Sequence, residues 1–157
     1  MKVCVCSDSH GNRDGLKRML ELEKPDALLF CGDGIDDFKG LELPERTLFV
    51  KGNCDFMCDE PIMREFVLEG VKIIMTHGHK YSVKTTTDIY LSEAFARDAN
   101  VALFGHTHFQ QASYSNGVLL LNGGTMSKNS GYYAILELEN GKYDCQLKRL
   151  LPTVSRF

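Results

Sequence analysis

The residues able to do chemistry stand just past short apolar runs. Val3-Cys4-Val5-Cys6 leads into Ser7-Asp8-Ser9-His10, and Leu28-Leu29-Phe30-Cys31 leads into Gly32-Asp33. Leu48-Phe49-Val50 reaches Gly52-Asn53, and Ile73-Ile74-Met75 reaches Thr76-His77-Gly78-His79. Val101-Ala102-Leu103-Phe104 reaches Gly105-His106-Thr107-His108. All five histidines of the chain fall in these segments. A lone histidine at a strand end is ordinarily a hydrogen-bonded structural residue; the concentration of every histidine at such ends points to metal ligation instead. Residues two apart on extended chain face the same way, so Asp8 with His10, and His106 with His108, can each offer two donors to one place.

The donor set is imidazole nitrogen, carboxylate oxygen and the amide oxygen of Asn53. It suits manganese first, with nickel, zinc, iron or cobalt as neighbours in preference. The seven donors Asp8, His10, Asp33, Asn53, His77, His106 and His108 exceed one cation's needs and serve two divalent ions. Two cations about 3.5–4 Å apart can hold an attacking hydroxide and stabilise both oxygens of an in-line displacement at phosphorus. The chemistry implied is phosphate ester hydrolysis.

Positioning such donors requires strands whose C-terminal ends meet, which in layered α/β architectures happens at one sheet edge. Lys2 to Cys6, Ala27 to Cys31, Thr47 to Val50, Val71 to Met75 and Val101 to Phe104 read as buried strands. Asn12 or Asp14 is placed to cap a helix presenting Leu16, Met19 and Leu20 on one face, which Pro25 ends. A second helix is expected over about Asp88 to Arg97, capped by Thr87, with Leu91, Ala94 and Phe95 inward. Asn116-Gly117 and Asn140-Gly141 favour two-residue hairpins, so the C-terminal third reads as a β-meander ending near Leu150, after which Pro152 releases the tail. With no linker or repeat, residues 1–157 are expected to form a single domain.

The bulk properties narrow the classes further. A composition of 43 % hydrophobic and 25 % charged residues is that of a globular domain. No apolar run nears the roughly 20 residues that span a bilayer, and Asp8 interrupts any early signal-like stretch, so a cytoplasmic protein without membrane association is expected. A net charge of −3 with dispersed Lys and Arg argues against a partner of long nucleic acid. The six cysteines lack paired zinc spacing; reduced, mostly buried thiols are expected, with Cys4 and Cys6 on one strand face. Oligomeric state is not legible.

Asp8-x-His10, Gly32-Asp33, Gly52-Asn53, His77-Gly78-His79 and Gly105-His106-Thr107-His108, in that order, closely resemble the motifs of the calcineurin-like metallophosphoesterase superfamily, in particular its small prokaryotic YfcE-like phosphodiesterase branch. The resemblance implies a two-sheet β-sandwich flanked by helices, an α/β fold. By position it implies Asp8, His10 and His108 on a first metal, Asn53, His77 and His106 on a second, and Asp33 bridging. It also implies a hydroxide between the metals as nucleophile. Many superfamily members carry histidine after Gly-Asn; here Cys54 stands there. A thiol of ordinary pKa about 8.5 is a weaker proton donor near neutrality than imidazolium, which directs attention from monoesters to a small phosphodiester substrate. Cys54 and His79 are the candidate leaving-group or phosphate contacts. The alternatives are a phosphomonoesterase of a small metabolite and a non-catalytic protein-binding scaffold on the same fold. Asp36 and Asp37 are read as a solvated loop, and Asn122-Gly123-Gly124-Thr125 as a turn.

Overall fold

The first apolar run forms strand β1 (Lys2–Cys6), and alternation gives it two different neighbours. Val3 and Val5 enter the core between two sheets, whereas Cys4 and Cys6 share the opposite face and pack beneath a helix. The computed structural model describes residues 1–152 and builds the rest of the fold on this division. Strands β2 (Ala27–Phe30) and β3 (Arg46–Phe49) continue beside β1 in parallel. Strands β9 (Tyr132–Glu139) and β10 (Lys142–Arg149) complete this first sheet on the other side, in the order β10-β9-β1-β2-β3.

The second sheet contains β4 (Met63–Leu68), β5 (Val71–Thr76), β6 (Val101–Leu103), β7 (Gln110–Ser115) and β8 (Val118–Gly123). Its order is β4-β5-β6-β8-β7, with β5, β6 and β8 parallel. Inward residues of both sheets, including Leu29, Ile73, Leu103, Leu121 and Leu136, form the central core. The two-sheet sandwich expected from the motifs is the fold observed.

Helix α1 (Arg13–Glu23) covers the outer face of the first sheet. Asn12 caps it, its Oδ1 accepting from the Gly15 N–H at 3.1 Å, and Lys24 at φ +44° ends it before Pro25. Leu16, Met19 and Leu20 pack against Cys4, Cys6, Leu28 and Phe30, as their spacing predicts. Helix α2 (Asp88–Ala96) covers the second sheet with a rotated face. Tyr90 and Ala94 are buried, Leu91 only partly, and Phe95 remains 39 % exposed. The Tyr90 hydroxyl donates to the Leu103 carbonyl at 2.6 Å, and this contact sets the inward face. The Thr87 side chain caps nothing; Thr86 Oγ1 accepts from the Asp88 N–H at 3.2 Å.

The C-terminal third is not one meander. Both Asn-Gly pairs make hairpin turns with positive φ at both residues, but β7-β8 lies in the second sheet and β9-β10 in the first. The segment between β8 and β9 crosses from one sheet to the other. Cys4, Cys6 and Cys31 are buried, but Cys54 is exposed and Cys58 and Cys145 are half-buried, so buried thiols are fewer than expected. Pro152 is the last described residue, and the tail beyond it lies outside the described residues. Among the described residues no helix is long and apolar enough to cross a membrane.

Candidate metal centre

The parallel strands β1, β2 and β3 end at the same edge of the first sheet, and β5 and β6 end at the facing edge of the second. The donors therefore meet between two sheet edges, not along one. Backbone hydrogen bonds carry the strand pairing into the ligand loops. Asp8 N–H donates to the Gly32 carbonyl at 2.9 Å, and Gly105 N–H donates to the His77 carbonyl at 3.0 Å. Five donor residues take the left-handed backbone region: Asp8 at φ 53°, His10 at 40°, Asp33 at 65°, His106 at 69° and His108 at 68°. This conformation is uncommon outside glycine, and here it turns successive strand ends inward.

Two clusters result. In each of Asp8, His10, His108 and Asp33, His77, His106, one donor atom per residue lies within 4.8 Å of the other two. Asp8 is the hinge between them. Its Oδ1 is 3.2 Å from His108 Nε2, 3.6 Å from His10 Nε2 and 3.9 Å from His77 Nε2. His77 Nε2 is 3.2 Å from Asp33 Oδ2 and 3.1 Å from His106 Nδ1. His77 Nδ1 lies 2.7 Å from the Cys31 carbonyl, an acceptor only, so this nitrogen donates and Nε2 is left facing the centre.

A layer of polar side chains fixes these groups. Asp55 is buried, and its carboxylate accepts from four backbone N–H groups: Asp33 at 2.7 Å, Gly34 at 2.9 Å, Ile35 at 3.1 Å and Gly52 at 2.9 Å. Cys54 N–H donates to Asp33 Oδ1 at 2.8 Å. The fully buried Asn122 donates to the Gly105 carbonyl at 3.1 Å and to Thr107 Oγ1 at 3.0 Å, and accepts from Gly124 N–H at 2.8 Å. Thr125 Oγ1 donates to the Asp8 carbonyl at 2.8 Å. What reads as a plain turn over Asn122 to Thr125 is thus a brace behind Asp8 and His106. Asp37 is a further correction: its Oδ2 accepts from Ser9 Oγ at 2.6 Å and Gly11 N–H at 2.9 Å, so it holds the Asp8–His10 loop, while Asp36 is solvated as expected. Asp55 carries no motif mark; its one signal is a carboxylate placed between two glycine-anchored loops.

The remaining predicted residues sit nearby. Asn53 is exposed, and its side-chain amide donates to Cys54 Sγ at 3.5 Å, so the structure does not show its oxygen engaged with the clusters. His79 is half-buried, its ring 5.5 Å from that of His77 and 6.2 Å from that of His106, and its Nδ1 has no partner among the described residues. Burial, then the neighbouring His77 and Lys80, lowers the His79 pKa below the ordinary imidazole value. Burial and His77 bring His106 down to about 4, so it is neutral at pH 7, as a ligand nitrogen must be. Burial opposes the Asp33 charge, yet the His77 hydrogen bond and charge and the Cys54 N–H hold this carboxyl below the ordinary range. The same carboxylates raise His77 against its burial, and burial with Asp33 raises the Cys54 thiol.

These donors fit divalent cations. Asp8 Oδ1 is fully buried and makes no hydrogen bond among the described residues, while imidazole nitrogens converge on it. An uncompensated buried carboxylate oxygen costs about 1–3 kcal/mol or more. A cation at this point would satisfy it. Comparison with known proteins agrees in kind. The chain is 33 % identical over 146 residues to the probable metallophosphoesterase YsnB of Bacillus subtilis, covering 89 % of this chain and 86 % of that one. It is 24 % identical over 158 residues to the phosphodiesterase YfcE of Escherichia coli, covering 83 % and 82 %. The crystal structure of a predicted phosphoesterase from Streptococcus pneumoniae superposes with a TM-score of 0.79 at 26 % identity, over 94 % of this chain and 88 % of the other. The family model of the calcineurin-like phosphoesterase superfamily domain matches residues 1–141, and the chain belongs to that superfamily.

Proposed function

We propose that this chain hydrolyses a small phosphodiester with two divalent cations, manganese foremost. Asp8, His10 and His108 would hold one cation and His77, His106 and Asn53 the other, with Asp33 shared. The observation that carries this reading is the pair of three-residue clusters meeting at the unpaired Asp8 Oδ1. When bound, such a pair supplies charge for the phosphoryl oxygens and a water made acidic enough to attack near neutral pH.

The chain's own groups do the rest. Asp33 is moored through Cys54 N–H on Oδ1, which leaves Oδ2, 3.2 Å from His77 Nε2, aimed at the centre. Neutral His106 presents a lone pair, and His77 is oriented by the Cys31 carbonyl. His79, next to both rings and with a free nitrogen, is assigned to a phosphoryl oxygen. The raised pKa of the Cys54 thiol makes it a poor acid for a strongly basic leaving group, which favours diesters with stable leaving groups over alkyl monoesters. A purely structural scaffold has no use for the unpaired Asp8 oxygen.

The test is metal content and turnover together. Protein loaded with manganese should hold two equivalents and hydrolyse bis-p-nitrophenyl phosphate. Asp8→Asn should lose both metal and at least about a hundredfold in rate, because the substituted amide removes the charge at the shared centre. Loaded wild-type protein inert toward diesters and monoesters alike would refute the proposal, and a stoichiometry of one would refute its dinuclear form.

A further inference from the structure

His10 and Asp33 line a hollow of about 290 Å³ that opens beside the metal centre. Its other wall carries two adjoining apolar side chains open to solvent: Phe56 is 79 % exposed and Met57 is 96 % exposed. Ile35 adds a third apolar side chain. Large apolar groups left this open gain nothing for the fold, so what they contact arrives from outside.

The wall is anchored. Phe56 directly follows Asp55, whose carboxylate binds the N–H groups of Asp33 and Gly52. Cys58 Sγ, 3.8 Å from the Asp55 carbonyl, closes the turn behind Met57. The apolar pair is thereby fastened to the backbone that carries a metal ligand, at a set distance from it.

The charge of the hollow selects the occupant. Among the described residues no lysine or arginine lines it, while Asp33, Asp36, Asp37 and Asp55 do. Asp37 turns Oδ2 to Ser9 and Gly11, Asp55 turns both oxygens to backbone N–H groups, and Asp36 pairs with the exposed Lys39 at 3.3 Å. A second phosphate or a carboxylate on the substrate would meet these acids with no cationic side chain to offset them. The acids that line the hollow are turned to hydroxyl and N–H groups of the loops, which suits the space to an ester group that makes no polar contact, the one that stays on phosphorus.

Resting on the diesterase reading above, we infer that the retained ester group is uncharged and apolar, an aryl group by preference, seated against Phe56 and Met57.

Three diesters sharing p-nitrophenolate as leaving group test this: the phenyl, methyl and 4-carboxyphenyl p-nitrophenyl phosphates. With manganese-loaded wild-type protein, kcat/KM should be about tenfold higher for phenyl than for methyl, from the ring area removed from water, and the carboxyphenyl ester should fall to the methyl level or below. Phe56→Ser/Met57→Ser should bring phenyl and methyl within about twofold of each other, with metal content unchanged. Met57→Ser alone, at a nearly fully exposed position, gives a second variant whose folding is not in question. Calorimetry with phenylphosphonate and methylphosphonate reads the same seat without turnover. Equal wild-type kcat/KM for phenyl and methyl, or a phenyl preference that survives both variants, overturns the inference and leaves hydrolysis standing. Absence of all turnover with a Phe56-dependent preference for phenylphosphonate overturns the diesterase reading and leaves the apolar seat standing.

Discussion

Glu23 lies in the last turn of α1, where the helix macrodipole disfavours a negative charge, and its side chain is only 3 % exposed. Three partners account for it: Lys2 on β1 at 2.7 Å, Lys148 on β10 at 2.5 Å and the Tyr133 hydroxyl on β9 at 2.5 Å. Burial alone would raise its pKa, but Lys148, Lys2 and Tyr133 together pull it from 4.5 down to about 2. That fall corresponds to about 3 kcal/mol favouring the ionised folded form, reduced to about 2 kcal/mol because both lysines are about a third exposed and screened by solvent. Because the folded pKa is depressed, this stability is fully present above the unfolded value of 4.5 and is lost as pH falls toward 2. Glu23→Gln copies the protonated side chain in shape. It should cost about 2 kcal/mol at pH 7 and almost nothing at pH 2. Urea unfolding followed by circular dichroism at pH 7, 5.5, 4.5, 3 and 2 measures the gap, with a chelator present so that metal loss in acid does not contribute. A gap that is the same at every pH, or smaller than about 0.5 kcal/mol at pH 7, refutes the reasoning, since either means the charge is not what Glu23 contributes.

Two further outcomes are expected. Asp55→Asn keeps the volume but loses half of the acceptor capacity, leaving two buried N–H groups unpaired; the variant should be less stable by about 3 kcal/mol, and titration should show manganese affinity down at least about tenfold as Asp33 loosens. In Gly52→Ala the new methyl would strike Asp33 Oδ1 and lie 2.5 Å from Asp33 N, which is backbone and cannot swing aside. Metal analysis should show fewer than two equivalents, and denaturation a loss of about 2 kcal/mol or more; a variant with full metal and unchanged stability contradicts the observed approach of the two loops.

Much of the fold was legible because the strands of the inner layers are short, apolar and punctuated by glycine and polar donors. Cys4 and Cys6 fall on one face as period two requires, and Leu16, Met19 and Leu20 fall on one helix face. Strand β4 escaped notice because it is an edge strand: Arg64 and Glu65 interrupt it and leave only Phe66-Val67-Leu68, too short to read as an apolar run. The apparent meander failed because a turn signal specifies which neighbours pair but not which sheet receives the pair. Phe95 was misplaced because Tyr90, through its hydroxyl bond to Leu103, turned α2 by tertiary contact and not by periodicity. In the site, all five histidines and two aspartates proved close together, since their types and strand-end positions carry the signal. Asp37 and Asn122 read only as loop and turn, and Asp55 did not stand out, because a side chain that binds groups from distant loops has no partner visible in its own segment.

The left-handed turns at Asp8, His10, Asp33, His106 and His108 have an evolutionary consequence. Each keeps its residue in a conformation that glycine or asparagine would accept at less cost, so drift toward a sturdier molecule runs through these very positions and discards the proposed ligands on the way. A descendant released from the need for chemistry would be expected to lose donors here first while keeping its sandwich intact. These five positions are therefore a readable gauge: within this fold, a sequence that has exchanged them for glycine or asparagine has given up donors proposed here to hold metal.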